Sequence, residues 1–308
     1  MPKPDTPLRL GAALLMLVGI GALWGLGAPL VRFARLEGLG TFSIVLWQSV
    51  VGLVVLAGVQ IARGRFDLPR DPASLLLYAV VGMLGIVLPH LAGYWALGHI
   101  PAGVHALLTS LVPMFALMLA LGLRIERFRP VRALGLGLGA AAVALLVLPE
   151  QSLPPSVPVI FVFISALAPL CYAIESAFVA HMSRAQAGAL QALLGGSVVA
   201  LGVMVPVTFA AGQPLVPAQT SPALLALVLS GASGALAYAG YVALLRSAGS
   251  VFATQVAYLV TAWAMLWSVL ILGERHGPFV WLAMGLMFAG LFLVQPRPRL
   301  APSPPPVA

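Results

Sequence analysis

The sequence predicts an all-α integral membrane protein in which ten transmembrane helices form two inverted five-helix repeats around a central cavity. Three observations predict it. Of 308 residues, 61% are hydrophobic and only 8% charged, with a mean hydropathy of +1.06. That leaves too little polar surface for a water-soluble globule of this length. Apolar runs of about 18 to 25 residues, each long enough to cross a hydrocarbon core of roughly 30 Å as a helix, recur along the chain. Finally, GLRIERFRPVRALGLG at 122–137 returns 148 positions later as LILGERHGPFVWLAMG at 270–285, so Glu126, Arg127, Pro130 and Gly137 reappear as Glu274, Arg275, Pro278 and Gly285. An odd number of crossings per copy turns the second copy upside down, a plan that places a solute site between the halves near the bilayer midplane.

The ten spans fall at 8–31, 40–62, 73–97, 101–123, 131–148, 157–180, 187–211, 222–245, 250–272 and 278–295. The first is too long for a signal-peptide core and lacks a persuasive cleavage site, so it is read as a retained span. Arg63-Gly64-Arg65 and Asp71-Pro72 separate spans two and three, and Pro101 opens span four. Arg129-Pro130 opens span five, and Pro154-Pro155 parts the two halves. Gly212-Gln213-Pro214, Ser221-Pro222 and Gly277-Pro278 punctuate the second half. The resulting organisation is a cytoplasmic segment at 1–7, a first repeat at 8–148, a linker at 149–156, a second repeat at 157–295 and a tail at 296–308. The tail, PRPRLAPSPPPVA, is too rich in proline to form a helix and is expected to be disordered and cytoplasmic.

Orientation follows from the basic residues. With a cytoplasmic N-terminus, 13 of the 16 Lys and Arg fall in inner segments, leaving Arg32, Arg35 and Arg275 outside. This bias predicts both termini in the cytoplasm of a cell inner membrane. It puts the Glu126 turn inside and the Glu274 turn outside. The net charge of +8 is accordingly read as loop charge answering to lipid, with no nucleic-acid partner.

The duplication extends beyond one motif. At a spacing of 148, Trp24 and Gly25 of helix one meet Tyr172 and Ala173 of helix six; at 147, Tyr94 and Ala96 of helix three meet Tyr241 and Ala243 of helix eight. These features, together with the Trp24-Gly25 pair, Pro113 midway along helix four and the turns at Glu126 and Gly273-Glu274, resemble the drug/metabolite transporter superfamily, EamA type. The likeness covers 8–295, and the wealth of Trp, Tyr and His is similar to the YddG-type exporters of aromatic and other amino acids. It implies export of small amphiphilic metabolites, amino acids included, without a cofactor. Two positions depart from the pattern. Trp47-Gln48 stands where many members carry an arginine, and Thr261 stands where the first repeat has Pro113, so neither the arginine's role nor a second proline's is carried over.

Independently of the likeness, a solute site is sought among polar and aromatic residues at membrane depth, where burial is costly without a purpose. Trp24 and Tyr172 bracket the midplane from opposite sides and are expected to form a stacking floor and ceiling for a planar solute, unless they face lipid. His90 and Tyr94 share a face of helix three beside Pro89, and His105 lies at similar depth on helix four. Either histidine would hydrogen-bond a substrate carboxylate, or simply satisfy a neighbouring carbonyl. Tyr238 and Tyr241 on helix eight, and Gln255 and Tyr258 on helix nine, form two same-face pairs expected to line the inner half of the cavity, completed by Trp263. Trp267 and Trp281 fit outer-interface anchors, and Thr109 and Ser110 fit helix-to-helix hydrogen bonders.

Glu175, the one acid well inside a span, would bind a substrate ammonium, carry a proton or pair with Arg184. Glu126 and Glu274 are expected to tie their turns. Gly21 to Gly25, Gly135 to Gly139 and Ser230 to Gly234 are small-residue spacings that let helices approach closely.

Other chemistries find little support. Lys3 is the sole lysine, so no phosphate-binding GxxxxGK[ST] loop exists. Gly19-Ile20-Gly21 follows no strand, which argues against a dinucleotide loop. HExxH and GxSxG motifs are absent, and the five histidines are too scattered to suggest a metal set. The lone Cys171 precludes an intramolecular disulfide, and no asparagine is present to be glycosylated. A TVGYG filter is lacking, which disfavours one kind of channel. The expectation is a monomeric secondary transporter working by alternating access on a small molecule, in contact with membrane lipid; the alternative is a multidrug, cationic-compound or nucleoside exporter of the same fold, ahead of a channel or an intramembrane enzyme.

Overall fold

The computed structural model describes residues 10–64, 67–148, 157–182, 184–215 and 222–295. The expected segment at 1–7, the linker at 149–156 and the tail at 296–308 lie outside these residues, as do Lys3, Arg9, Arg65, Arg297 and Arg299. Among the described residues all regular structure is helical. Eight helices are long and apolar enough to cross a membrane: α1 (Leu10–Leu36), α2 (Thr41–Ala62), α3 (Pro72–Leu97), α4 (Ala102–Gly122), α5 (Pro130–Val147), α6 (Ile160–His181), α7 (Ala189–Ala210) and α8 (Pro222–Ala248). Two shorter apolar helices, α9 (Val256–Leu272) and α10 (Pro278–Val294), complete the ten. Each of these has 17 residues. That is a rise of about 26 Å, at the short end of what spans a bilayer.

Packing follows the duplication. Helix α1 packs on α8 and α9, and its repeat counterpart α6 packs on α3 and α4. Likewise α2 meets α8 as α7 meets α3, while α2–α7, α4–α9 and α5–α10 pair across the pseudo-symmetry axis. Every one of these contacts maps onto another, or onto itself, when five is added to or subtracted from the helix number. Both repeats therefore build one bundle. Its outer surface is apolar: Leu15, Val54, Phe209, Leu270 and Phe292 are each more than 60% exposed, a distribution suited to lipid and not to water.

Small residues set the closest approaches, as lipid-embedded packing requires. A Cβ at Gly25 would lie 2.8 Å from the Ala264 nitrogen, and one at Gly21 would lie 2.6 Å from the Leu259 Cβ, so both glycines seat α1 on α9. Gly135 and Gly290 do the same for α5 and α10, each lying 2.8 Å from the other's carbonyl oxygen once a Cβ is added. The Ser230 to Gly234 spacing behaves differently. Gly231, one residue along, is the close contact, against Val51, whereas Gly234 has no neighbour within 4 Å because it faces open space.

Prolines shape the interior. Pro89 cannot donate to the carbonyl four residues back, and α3 relaxes into a π-helical stretch at Val81–Val87 just before it. In α4, Pro113 coincides with a break between Thr109 and Val112. The start of α3 is fixed by Asp71, whose side chain accepts from the Ser74 N–H at 3.0 Å, followed by Pro72. Gly273, at φ 64°, ends α9 in the left-handed conformation open to glycine.

Helix α1 runs five residues past the expected end at 31. The cause is that Arg32 and Arg35 are not loop charges there: their guanidinium groups fold back onto carbonyls, with Arg32 Nη1 donating to Leu97 O at 2.9 Å and Arg35 Nη1 to Leu39 O at 2.6 Å. Span nine also differs, since a short helix at Ser250–Ala253 is separated from α9 by an unwound Thr254–Gln255 junction.

Candidate functional site

A cavity of about 1020 Å³ occupies the centre of the bundle, lined by residues from both repeats. It extends to the end of the bundle that carries Leu10 and Val294, called here the terminal face, where Glu126, Arg132 and Gln295 form its rim. Among the described residues, none of those lining it belongs to the turns at the opposite, far face.

Of the residues expected from sequence, Trp24, His90, Tyr94, His105, Tyr172, Glu175, Tyr238 and Tyr241 line this cavity. Trp24 also has ring partners within the wall itself. Its ring packs on Tyr241 at 5.6 Å and on Tyr238 at 6.3 Å, so α1 and α8 make one aromatic wall. The i, i+4 spacing of His90 and Tyr94 stacks their rings at 4.7 Å and 16°.

Beside that stack runs a polar relay. Tyr94 Oη donates to Gln48 Oε1 at 2.5 Å, Gln48 Nε2 donates to Ser230 Oγ at 2.7 Å, and Ser230 Oγ donates to Leu227 O at 2.9 Å. It ties α3, α2 and α8 together with each member satisfied. Gln48 and Ser230 both line the cavity and are additions to the expected set. Gln48 was legible as a buried amide in mid-span, standing where the family pattern carries an arginine; Ser230 had no sequence signal beyond small size.

His105 Nδ1 lies 2.7 Å from Ser165 Oγ, which links α4 to α6. His90 Nδ1 is sealed from solvent and has no hydrogen-bond partner among the described residues. Among the described residues, Thr109 and Ser110 bond no neighbouring helix. They turn back on carbonyls of their own helix, His105 O at 2.9 Å and Leu107 O at 2.6 Å, and line the cavity beside the break at Pro113. Among the described residues the Glu175 carboxylate makes neither an ion pair nor a hydrogen bond, so the expected alternative of pairing with Arg184 is not realised.

Three expected residues stand outside the lining, and helical phase explains why. The cavity face of α9 is Ala257, Val260, Thr261 and Ala264, at spacings of three and four. Gln255 and Tyr258 share a different face, turned to α10: Gln255 Nε2 donates to Gln295 Oε1 at 3.4 Å, and the Tyr258 ring meets Phe288 edge-on at 5.5 Å. Trp263 stacks on Trp267 at 5.4 Å, away from the cavity. Trp267 is no free interface anchor either, because its Nε1 donates to Ala22 O at 3.1 Å and holds α9 to α1. Trp281, 46% exposed at the far end of α10, keeps the position of an anchor.

The far face is closed by a charged cluster. Glu274 accepts from the backbone N–H of Ala102 at 2.7 Å and of Gly103 at 3.2 Å, at the start of α4. Arg32 Nε pairs with the same carboxylate at 2.8 Å, and His276 Nε2 lies 3.5 Å from it and 2.9 Å from Ser268 Oγ. Burial pushes the His276 imidazole below its usual pKa range, and the neighbouring Glu274 carboxylate opposes that shift. Gln213 adds a second fastening: its Oε1 accepts from Phe42 N at 3.1 Å and Ser43 N at 3.2 Å at the start of α2. At the terminal face, Glu126 pairs with Arg132, whose Nε also donates to Val294 O at 2.9 Å.

Comparison with known proteins agrees with this architecture. The model of the EamA-like transporter family matches residues 11–148 and again 159–295. A probable terminal-alkyne amino-acid exporter of Streptantibioticus cattleyicolor is 25% identical over 291 residues, covering 94% of this chain and 95% of that relative. A solved crystal structure superposes with a TM-score of 0.61 over 93% of this chain and 98% of its own, at 19% identity, a likeness of fold alone. With two five-helix repeats around a shared cavity and both repeats matched, the chain belongs to the EamA-like transporter family and is a multi-pass membrane transporter, not an enzyme.

Proposed function

We propose that this transporter exports small amphiphilic metabolites, amino acids with aromatic side chains among them, across the cytoplasmic membrane by alternating access. The observation that carries the reading is the cavity itself: about 1020 Å³, closed at one face, and walled by Trp24, Tyr238 and Tyr241 beside the Tyr94–Gln48–Ser230 relay. Such a site gives a planar solute apolar contact on one side and hydrogen-bonding groups on the other. The name of the Streptantibioticus relative supports amino-acid export. The 13 inner Lys and Arg against three outer ones support termini in the cytoplasm of the inner membrane, and on that reading the cavity's opening at the terminal face is the inward-facing state.

The test is substrate-saturable flux of purified protein in liposomes, with amino acids, nucleosides and cationic dyes in competition, with and without a proton gradient. Amino acids should compete best; conductance in place of saturable flux would refute the reading. Trp24→Ala and Tyr172→Ala should each raise the KM for aromatic amino acids about tenfold, the equivalent of about 1.4 kcal/mol, with folded protein retained in the membrane. Unchanged flux in both variants would remove these rings from the site.

A further inference from the structure

The formal charges on the cavity wall are few. Glu126 and Arg132 at the rim are paired with each other, which leaves Glu175 on α6 as the uncompensated charge among the described lining residues. The carboxylate is not buried in packing. It is partly exposed to the cavity and held over Gly85 of the π-helical stretch, where a Cβ would come within 2.7 Å of Oε1. Any side chain at Gly85 would displace it. On the α1 and α8 side of the cavity stand the rings of Trp24, Tyr238 and Tyr241, whose faces favour a cation.

No matching positive group waits at depth. Arg132 is confined to the rim by Glu126 and Val294 O. The titratable groups around Glu175 are Cys171 and Tyr172 on α6, His90 and Tyr94 on α3, His105 on α4, and Tyr238 and Tyr241 on α8. None carries a permanent positive charge. His90 stacks on Tyr94 with its Nδ1 sealed from solvent, and His105 is engaged with Ser165. A substrate carboxylate placed here would be desolvated without a cation to meet it, whereas an ammonium meets both Glu175 and the aromatic wall.

We propose that the deep site recognises its substrate through the ammonium group alone, with Glu175 as counter-ion, so that aromatic primary amines lacking a carboxylate are carried at least as well as the corresponding amino acids. This inference rests on the transport reading above and narrows its substrate class. An amino acid enters with its ammonium at Glu175 and its carboxylate left to the water of the cavity. Because a proton on Glu175 removes the counter-ion, amine binding weakens on acidification in the wild type.

Three probes sharing one ring separate the determinants in wild-type proteoliposomes: phenylalanine, phenethylamine and 3-phenylpropanoate. Phenethylamine should inhibit phenylalanine counterflow at the concentration at which phenylalanine inhibits itself, or below, and should itself undergo counterflow, while 3-phenylpropanoate should do neither. Glu175→Gln should reduce phenethylamine counterflow at least tenfold and abolish its dependence on pH between 5.5 and 8. Equal inhibition by 3-phenylpropanoate, failure of phenethylamine to compete, or retention of pH-dependent amine counterflow in Glu175→Gln would each overturn the assignment while leaving transport intact. If Glu175→Gln does not fold, the wild-type competition decides alone. Absence of flux for all three compounds would instead sink the transport reading and this inference with it.

Discussion

The two ends of the bundle carry the same sequence motif and use it in opposite ways. At the far face Glu274 reaches out of its own repeat to cap α4 and neutralise Arg32, residues of the first repeat. At the terminal face its counterpart Glu126 pairs with Arg132, six positions along the same repeat, and the cavity reaches past it. One carboxylate thus clamps the two repeats together. The other touches the second repeat only through Arg132, whose Nε donates to Val294 O at 2.9 Å. The glutamates recur but their partners do not, since at the spacing of 148 Val280 stands for Arg132 and Ala180 for Arg32, so the contrast is written in the sequence as well as in the conformation.

The largest test of that contrast is Glu274→Ala. Arg32 and Glu274 are only 17% and 10% exposed, and removing the carboxylate strands a buried guanidinium and two α4 N–H groups. A loss of about 3–5 kcal/mol in the closure of the far face is expected. It should appear as faster maleimide labelling of Ala28→Cys from that face in a Cys171→Ser background. Unchanged labelling would mean that Glu274 is not the clamp.

A smaller effect comes from wedging the same contact. A Cβ at Gly103 would lie 2.6 Å from Met265 Sδ and 2.7 Å from His276 Cε1. Gly103→Leu should therefore loosen the far face by about 1–3 kcal/mol, read in the same labelling assay. Glu126→Gln provides the counterpart at the terminal face, where the side chain is 38% exposed and water screens its pair. Thermal unfolding should shift by no more than about 1 kcal/mol. A shift equal to that of Glu274→Ala would break the comparison.

The mildest perturbation is pH. His276 has a lowered pKa while enclosed beside Glu274 and regains an ordinary value near 6.5 when the far face opens. A group whose pKa is depressed in the closed state holds more protons in the open one as pH falls, so closure is fully favoured above about 6.5 and weakens below it. Labelling of Ala28→Cys, divided at each pH by that of the unfolded protein to cancel the falling thiolate fraction, should rise between pH 7.5 and 5 in the parent protein and stay flat in His276→Gln; a flat ratio in both would exclude His276 as the titrating group.

Particular residues show how far sequence reaches. Span positions follow from runs of apolar side chains, which depend on bilayer thickness and not on partners, so the ten helices are readable in order. The departures are informative. Helix α1 extends because Arg32 and Arg35 find carbonyl acceptors contributed by Leu97 and Leu39, a tertiary fact for Arg32 and a local one for Arg35. On α8, Tyr238 and Tyr241 reach the cavity as their spacing suggests, whereas Gln255 and Tyr258, spaced identically on the way into α9, turn to α10. Spacing says which residues share a face; it does not say which way the face points.

What the sequence by itself determined is the membrane setting, the count and order of helices, and the duplication with its inverted sense, because each rests on composition or parity along one chain. Only the tertiary structure decided the rotation of each helix about its axis, the Tyr94–Gln48–Ser230 relay, the isolation of Glu175 and the closure of one face in preference to the other. Those features arise from contacts between segments far apart in the chain, whose energies have no imprint in the local pattern of either segment.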